Sequence, residues 1–300
     1  MSTNLQIMKN GFLGLNQGKN FQVPYGKAGA VVVPFGLENT VSYGRGTGRG
    51  PGAIIKASHN LEILDEQLLK PFSDCGISTL LEPKTPKDQK TAVNLLAGLV
   101  SRIVADKKFP VILGGEHSLT QGTIKGLSEH YKNFTVLHFD AHSDTRLNYF
   151  IGGQYSHGAV MSQVLAKYPA AKLVQVGIRS FSDQDGEWDF RKKNKQKIKT
   201  FWAWDKITPA DVARAIPTRD VFISFDVDAF DPSIMPSTGT PEPGGLLWWP
   251  TVDILKAVYK SKNVIGADIV ELAPIKNLHA PDFMVAKLVY KMIGYKFYIR

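Results

Sequence analysis

Cysteine is almost absent: one residue, Cys75, in 300, which excludes an internal disulfide and any metal cage built from several thiolates. Nowhere do the roughly 20 consecutive apolar residues of a membrane-spanning helix occur. Over Met1 to Gly18, Gln, Asn and Gly stand where an export signal would have its apolar centre, so the cytoplasm is the expected address. No repeat or low-complexity linker divides the chain, and one domain over residues 1–300 is expected. Acid is scarcer than base, 27 residues against 36, for a net charge of +9. The excess is local. The run Arg191 to Lys199 holds six basic residues and no acid, and without it 30 bases face 27 acids, a net of +3. Such a run reads as a solvated helix face or loop. No aromatic residues interleave it, so no nucleic-acid partner is expected. What the chain does have is 43% hydrophobic residues, enough for a sizeable core.

Apolar β-rich runs recur at Ala30–Val33, Phe109–Leu113, Phe134–Phe139, Leu173–Val176, Val221–Phe225 and Val264–Val270. They are continuous rather than alternating, as in strands covered on both faces. Between the first two, Ala92, Leu96, Leu99, Val100 and Ile103 fall at helical spacing, and Phe283 to Ile293 reads as a closing helix. Strands alternating with helices predict right-handed crossovers and a parallel sheet, an α/β protein. Gly48 to Ala53 formally fits the dinucleotide pattern G-x-G-x-x-G/A, but it lies far beyond its strand and no phosphate-loop lysine follows. The stretch reads instead as a loop entering a helix near Pro51.

Three segments turn from apolar to polar at the ends of predicted strands: Gly114-Gly115-Glu116-His117-Ser118, Asp140-Ala141-His142-Ser143-Asp144 and Asp226-Val227-Asp228-Ala229-Phe230-Asp231. Ligands bind at that edge of open α/β sheets. In extended backbone, Asp140, His142 and Asp144 point one way, and so do Asp226 and Asp228. Four aspartates gathered with two histidines repel one another unless cations lie among them, and two divalent ions match four carboxylates in charge. Carboxylate and imidazole ligands without thiolate favour Mn²⁺, with Fe, Co, Ni or catalytic Zn as alternatives. His138 is out of phase with its neighbours and reads as a packing or supporting residue. Asp231, before Pro232, reads as a turn brace, and His59, His130 and His279 as structural.

GGEHS, DAHSD and SFDVDAFDPS, in this order, resemble the ureohydrolases: arginase, agmatinase and their relatives. The likeness runs over nearly the whole chain, through the SYGRGTGRGPGAI loop, TPEPGGL (240–246) and GADIVELAP (266–274). It implies a three-layer α/β/α arginase-like fold with a mainly parallel central sheet, and hydrolysis of a guanidino compound to urea and an amine. By the same resemblance, His117, Asp140, Asp144 and Asp226 hold one Mn²⁺, and Asp140, His142, Asp226 and Asp228 the other. A single metal can lower the pKa of bound water from 15.7 toward about 7 and a pair can hold a bridging hydroxide, a nucleophile strong enough for a delocalised guanidinium. Glu271 would orient the guanidinium by charge-assisted hydrogen bonds. His157, seventeen residues after Asp140, would pass a proton to the departing amine. Homotrimers or homohexamers are implied as well.

The substrate stays open between two classes. TPEPGGL, ELAP and the Tyr155-Ser156-His157-Gly158 loop look more like agmatinases, for which the reaction is agmatine to putrescine and urea. Yet Arg146 and Tyr149 follow the DAHSD segment, and no acid occurs between Asp144 and Asp183. An arginine there suits a far-end carboxylate, as in 4-guanidinobutyrate or 3-guanidinopropionate. An arginase, a catalytically silent relative and the one-zinc deacetylases of similar fold are weaker matches; the last would not need His117 and Asp228 as ligands.

Overall fold

The computed structural model describes residues 5–16, 18–149, 151–183 and 185–299; Met1 to Asn4 and Gln17, part of the N-terminal stretch read above, lie outside them. Eight strands run in chain order: β1 Ala30–Phe35, β2 Ile77–Thr79, β3 Phe109–Gly114, β4 Phe134–Phe139, β5 Lys172–Ile178, β6 Ile198–Trp202, β7 Asp220–Asp226 and β8 Asn263–Val270. All neighbours pair in parallel, in the order β2-β1-β3-β8-β7-β4-β5-β6. Six of these are the apolar runs read from the sequence. The two edge strands, β2 and β6, are not: β2 is only Ile77-Ser78-Thr79 and β6 carries the exposed Lys199, so neither has the apolar run of an inner strand. An edge needs only one neighbour, so tertiary pairing makes these strands without help from composition.

Alternate residues of each strand feed opposite faces. Val32, Val111, Leu113, Leu137, Phe139, Ile223 and Phe225 pack under α1 Gly50–Ser58, α6 Pro209–Ala215, α7 Trp248–Ser261 and α8 Ala280–Tyr298. Val31, Val33, Ile112, Val136, Leu173 and Phe222 pack under α2 Gln89–Ala105, α3 Thr120–Ser128 and α4 Val160–Lys167. The outcome is three layers, α/β/α. On α2 the expected helical stripe is buried at Ala92, Leu96, Val100 and Ile103, while Leu99 lies at its margin. Burying each such aliphatic chain contributes about 1.5–3 kcal/mol. Asp88 starts α2 by accepting the N–H of Thr91 at 2.8 Å. α1 begins at Gly50 with Pro51 in its first turn, and α8 extends the predicted closing helix by about a turn at each end. Glu38 accepts the N–H groups of Gly46 and Gly48, each at 2.9 Å, so the glycine-rich stretch is a braced loop as read.

Strand order positions the site. β3, β8, β7 and β4 are consecutive in the middle of the sheet although they are far apart in the chain. The chain leaves toward β1 and β2 on one side and β5 and β6 on the other, so a crevice opens at their carboxyl ends. The metal-type segments follow β3, β4 and β7, and Glu271 follows β8.

Candidate metal centre

Beyond β3, Gly114 and Gly115 let the chain pass close to the first strand's loop: a Cβ on Gly115 would run into the Leu37 carbonyl. His117 then opens a short 3-10 turn with its ring aimed inward. Its Nε2 lies 2.9 Å from Ser224 Oγ on β7, and Ser224 Oγ donates to Asp268 Oδ1 on β8 at 2.7 Å. A hydroxyl that gives its proton to a carboxylate must accept from the imidazole. Nε2 therefore carries the ring proton and Nδ1 a lone pair. That Nδ1 is buried and makes no hydrogen bond, yet Asp144 Oδ2 (3.0 Å), Asp140 Oδ2 (3.2 Å) and Asp226 Oδ2 (3.4 Å) surround it. A lone pair facing three carboxylate oxygens is repulsive unless a cation lies among them. This donor set fits a divalent metal ion.

A second set adjoins it. His142 Nδ1 lies 3.0 Å from Asp228 Oδ2 and 3.5 Å from Asp140 Oδ1. The ligand atoms of Asp140, His142 and Asp228 lie within 4.8 Å of one another, as do those of His117, His138, Asp140 and Asp144. Asp140 belongs to both sets. The electrostatics show the crowding. Burial, with Asp228 and Asp140 beside it, pushes the Asp226 carboxyl well above the usual range, and burial and Asp140 push Asp228 up. Burial opposes ionisation of Asp140 too, but the His138 imidazole beside it holds it well below the usual value.

The backbone that gathers these groups differs in part from the expected pleat. β4 ends at Phe139, and His142 pairs with Ser180 in an isolated parallel bridge. Asp144, however, sits at φ +50°, in the left-handed region, so a turn rather than strand alternation brings it to His117. Asp228 lies in the 3-10 turn Val227–Ala229, its N–H given to Asp226 Oδ1 at 2.8 Å. Chain reversal after β7 overrides extension there. His138, read as a packing or supporting residue, is fully buried with Nε2 2.7 Å from Asp140 Oδ2. Asp231 braces its turn by accepting from Ser233, Gly244 and Gly245.

A cavity of about 270 Å³ opens onto the cluster, with Tyr43, Arg146, Tyr149, His157, Glu242 and Glu271 in its wall. Glu271, at φ +65°, accepts the N–H of His117 through Oε1 at 2.7 Å, and burial pushes its carboxyl well above the usual range. His157 Nδ1 is 3.4 Å from Thr40 Oγ1 and its ring meets Tyr149 edge-on at 5.4 Å; burial pushes its pKa down. Arg146 stacks over Tyr149, 4.5 Å to the ring centre, and pairs with Asp185 Oδ2 at 3.2 Å and Glu187 Oε2 at 4.0 Å. The basic run is not uniformly solvated. Arg191 is buried, on α5 Glu187–Lys193, which corrects the expectation of an exposed face throughout; its guanidinium has partners on β5 and β6 that outweigh its hydration.

The arginase family model matches residues 28–294. The chain belongs to the arginase family. It is similar to an N(1)-aminopropylagmatine ureohydrolase of Synechocystis, 36% identical over 283 residues and 90% of each chain. An agmatinase of Bacillus cereus is 30% identical, over 88% of this chain and 90% of that one. The solved agmatine ureohydrolase of Thermoplasma volcanium superposes with a TM-score of 0.84 at 27% identity, covering 98% of this chain and 95% of that one. The arginase-family chain is thus a ureohydrolase, an enzyme that hydrolyses a C–N bond of linear amidines. Its fold is the arginase fold with eight parallel strands.

Several supporting residues of this ureohydrolase escaped the sequence reading. Glu116 accepts the backbone N–H of Asn39 (2.7 Å) and Thr40 (2.5 Å), holding the loop that presents Thr40 to His157. It stands inside GGEHS, beside the candidate ligand His117, which was a usable signal. Arg179 donates to the Asp228 carbonyl at 2.8 Å and the Glu242 carbonyl at 2.7 Å, tying two walls of the site together. Nothing in its surroundings in sequence marks it.

Proposed function

We propose that this chain hydrolyses the guanidinium group of a linear guanidino-amine, agmatine or an aminopropyl-extended agmatine, releasing urea and the corresponding amine. Two Mn²⁺ ions would be held by His117, Asp140, Asp144 and Asp226, and by Asp140, His142, Asp226 and Asp228. The observation that carries this reading is the buried Nδ1 of His117 among three carboxylate oxygens at 3.0–3.4 Å, with Asp140 common to the adjoining set. Bound there, the ions would lower the pKa of a water molecule to near neutrality.

The chain's own groups do the rest. Glu271 keeps Oε2 for the guanidinium, since Oε1 is committed to the His117 N–H. A cation at this carboxylate would offset the burial that otherwise favours its neutral form, so binding and orientation are coupled. His157, its pKa pushed down by burial and its ring set beside Thr40 and Ser42, would hand a proton to the amine that leaves. The wall also favours an amine at the substrate's far end. Arg146, the group expected to meet a carboxylate, is already matched by Asp185 and lies against Tyr149, while Glu242 adds a carboxylate to the cavity. Arg146 and Tyr149 would therefore contact the substrate as a neutralised, stacked pair. Self-association into trimers or hexamers belongs to the same reading.

Arg146 in the wall is also what favours the second reading, a guanidino-acid hydrolase. A side-by-side assay of urea release separates the two: agmatine, aminopropylagmatine, 4-guanidinobutyrate, 3-guanidinopropionate and arginine at equal concentration with Mn²⁺. The guanidino-amines are expected to give the highest kcat/KM. Preference for either guanidino acid would replace the first reading by the second.

A further inference from the structure

One row of polar side chains crosses the sheet on the face covered by α2, α3 and α4. Asp268, Ser224, His138, Gln175 and Thr200 are register partners on β8, β7, β4, β5 and β6 in turn. Asp268, Ser224, His138 and Gln175 are fully buried amid an otherwise apolar layer. Four of these hydrogen-bond identities can be settled from the outer end inward. Arg191 has only donors, and its Nη1 lies 2.7 Å from Gln175 Oε1; its Nη2 lies 2.8 Å from Thr200 Oγ1. The Gln175 amide is thereby oriented with its NH₂ inward. Nε2 donates to the Ser143 carbonyl at 2.9 Å and faces His138 Nδ1 at 3.1 Å. Facing a donor, Nδ1 must be the acceptor. The ring proton of His138 then sits on Nε2, which donates to Asp140 Oδ2 at 2.7 Å.

We infer that Arg191 and Gln175 are positioning residues for the metal centre: they hold His138 in its Nε2–H form and so lock the shared carboxylate of Asp140. An ionised carboxylate offers about four lone-pair directions. At Asp140 one on Oδ2 is taken by His138, and one on Oδ1 by the backbone N–H of His142 at 2.5 Å. The carboxylate cannot rotate. The remaining direction on Oδ2 faces the His117 set and that on Oδ1 faces the His142 set, one oxygen to each ion position. The same bonds make His138 a proton donor and not a ligand, although its Nε2 lies within the first cluster. Arg191 thus links the otherwise unexplained basic run to the metal centre. The inference rests on Asp140 being a metal ligand.

The test reads the ring protons and the metal affinity separately. In metal-free protein labelled with ¹⁵N-histidine, the His138 signals are identified by their loss in His138→Gln. Solid-state NMR is expected to show a bare Nδ1 and a protonated Nε2. In Gln175→Glu the partner of Nδ1 becomes an acceptor, so a proton must move onto Nδ1. Calorimetric titration of that variant is expected to show Mn²⁺ binding weakened by about 10–100-fold at one or both positions. Arg191→Met, which frees the amide to turn, should weaken binding about 10-fold, and Arg191→Lys should restore most of it. A wild-type chain that binds Mn²⁺ with Nδ1 protonated overturns this inference alone, whether or not the variants fold. Unchanged affinity and ring protonation in Gln175→Glu overturns it too. Failure of the wild-type chain to bind Mn²⁺ overturns the metal assignment and this inference together.

Discussion

His117 and His138 are neighbouring buried imidazoles, 5.1 Å apart, yet one presents a lone pair to the carboxylates and the other a proton. The difference comes from the group on the far nitrogen: a serine hydroxyl committed to Asp268 in one case, a glutamine amide committed to Arg191 in the other. At this scale two substitutions are informative. Asp228→Asn leaves His142 facing an amide, and should empty mainly one ion position and cut turnover by about 100-fold or more. Metal content by mass spectrometry beside urea release checks both halves; full activity with two ions would contradict the assignment. His157→Asn should lower kcat by about 10²–10⁴-fold with metal content unchanged, as loss of a proton donor outside the ligand set requires. The six candidate ligands could be named from the sequence because aspartate and histidine at strand ends have few other uses in such number. Gln175 was not, since a single amide within an apolar strand carries no mark of its function. The partners of Arg146 were hidden for another reason: Asp185 and Glu187 are some forty positions downstream, and only the loop after β5 brings them back.

Besides the core, a few charged groups fasten elements to one another. Lys291, fully buried on α8, pairs with Asp65 Oδ2 at 2.7 Å and Glu66 Oε1 at 2.8 Å. Lys291→Met strands the buried Asp65 carboxylate and should cost about 3–5 kcal/mol in denaturant unfolding. Adding Asp65→Leu should recover most of that loss, because the cost lies in the unpaired charge; no recovery would place it in packing instead. Asp231 fastens the loop after β7. Hydrogen bonds from Ser233, then from Gly245 and Gly244, hold its carboxyl at about 2, below the usual 3.8. A depressed folded-state pKa stabilises above the unfolded value and is lost as pH falls through the folded one. Asp231→Asn should therefore melt below the wild type at neutral pH, with the gap narrowing below pH 4 and closing near pH 2. A gap that persisted in acid would mean the carboxylate charge is not what braces the turn. The inner strands and the helices α2 and α8 were readable because burial on one or both faces imposes period and composition. The edge strands β2 and β6 were not, for their pairing is set by neighbours distant in the chain.

For the whole molecule, four carboxylates gathered at the carboxyl edge of the sheet should tie stability to the cations proposed to lie among them. Chelation should lower the melting temperature, and Mn²⁺ should restore it in proportion to the logarithm of its concentration, about 2.7 kcal/mol at 100 times Kd. A melting point indifferent to EDTA and to Mn²⁺ would contradict the centre. Among the described residues no helix is long and apolar enough to cross a membrane, in keeping with the absence of long apolar runs. By itself the sequence determined the α/β class, the sites of the inner strands and the inventory of candidate ligands, because hydrophobic period and residue chemistry are local properties. Tertiary structure alone decided that β3, β8, β7 and β4 stand side by side, that Asp144 and Asp228 reach the cluster through turns, and that Arg191 lies buried behind Asp140. Those outcomes depend on strand order and on partners supplied from distant segments, which no local pattern encodes.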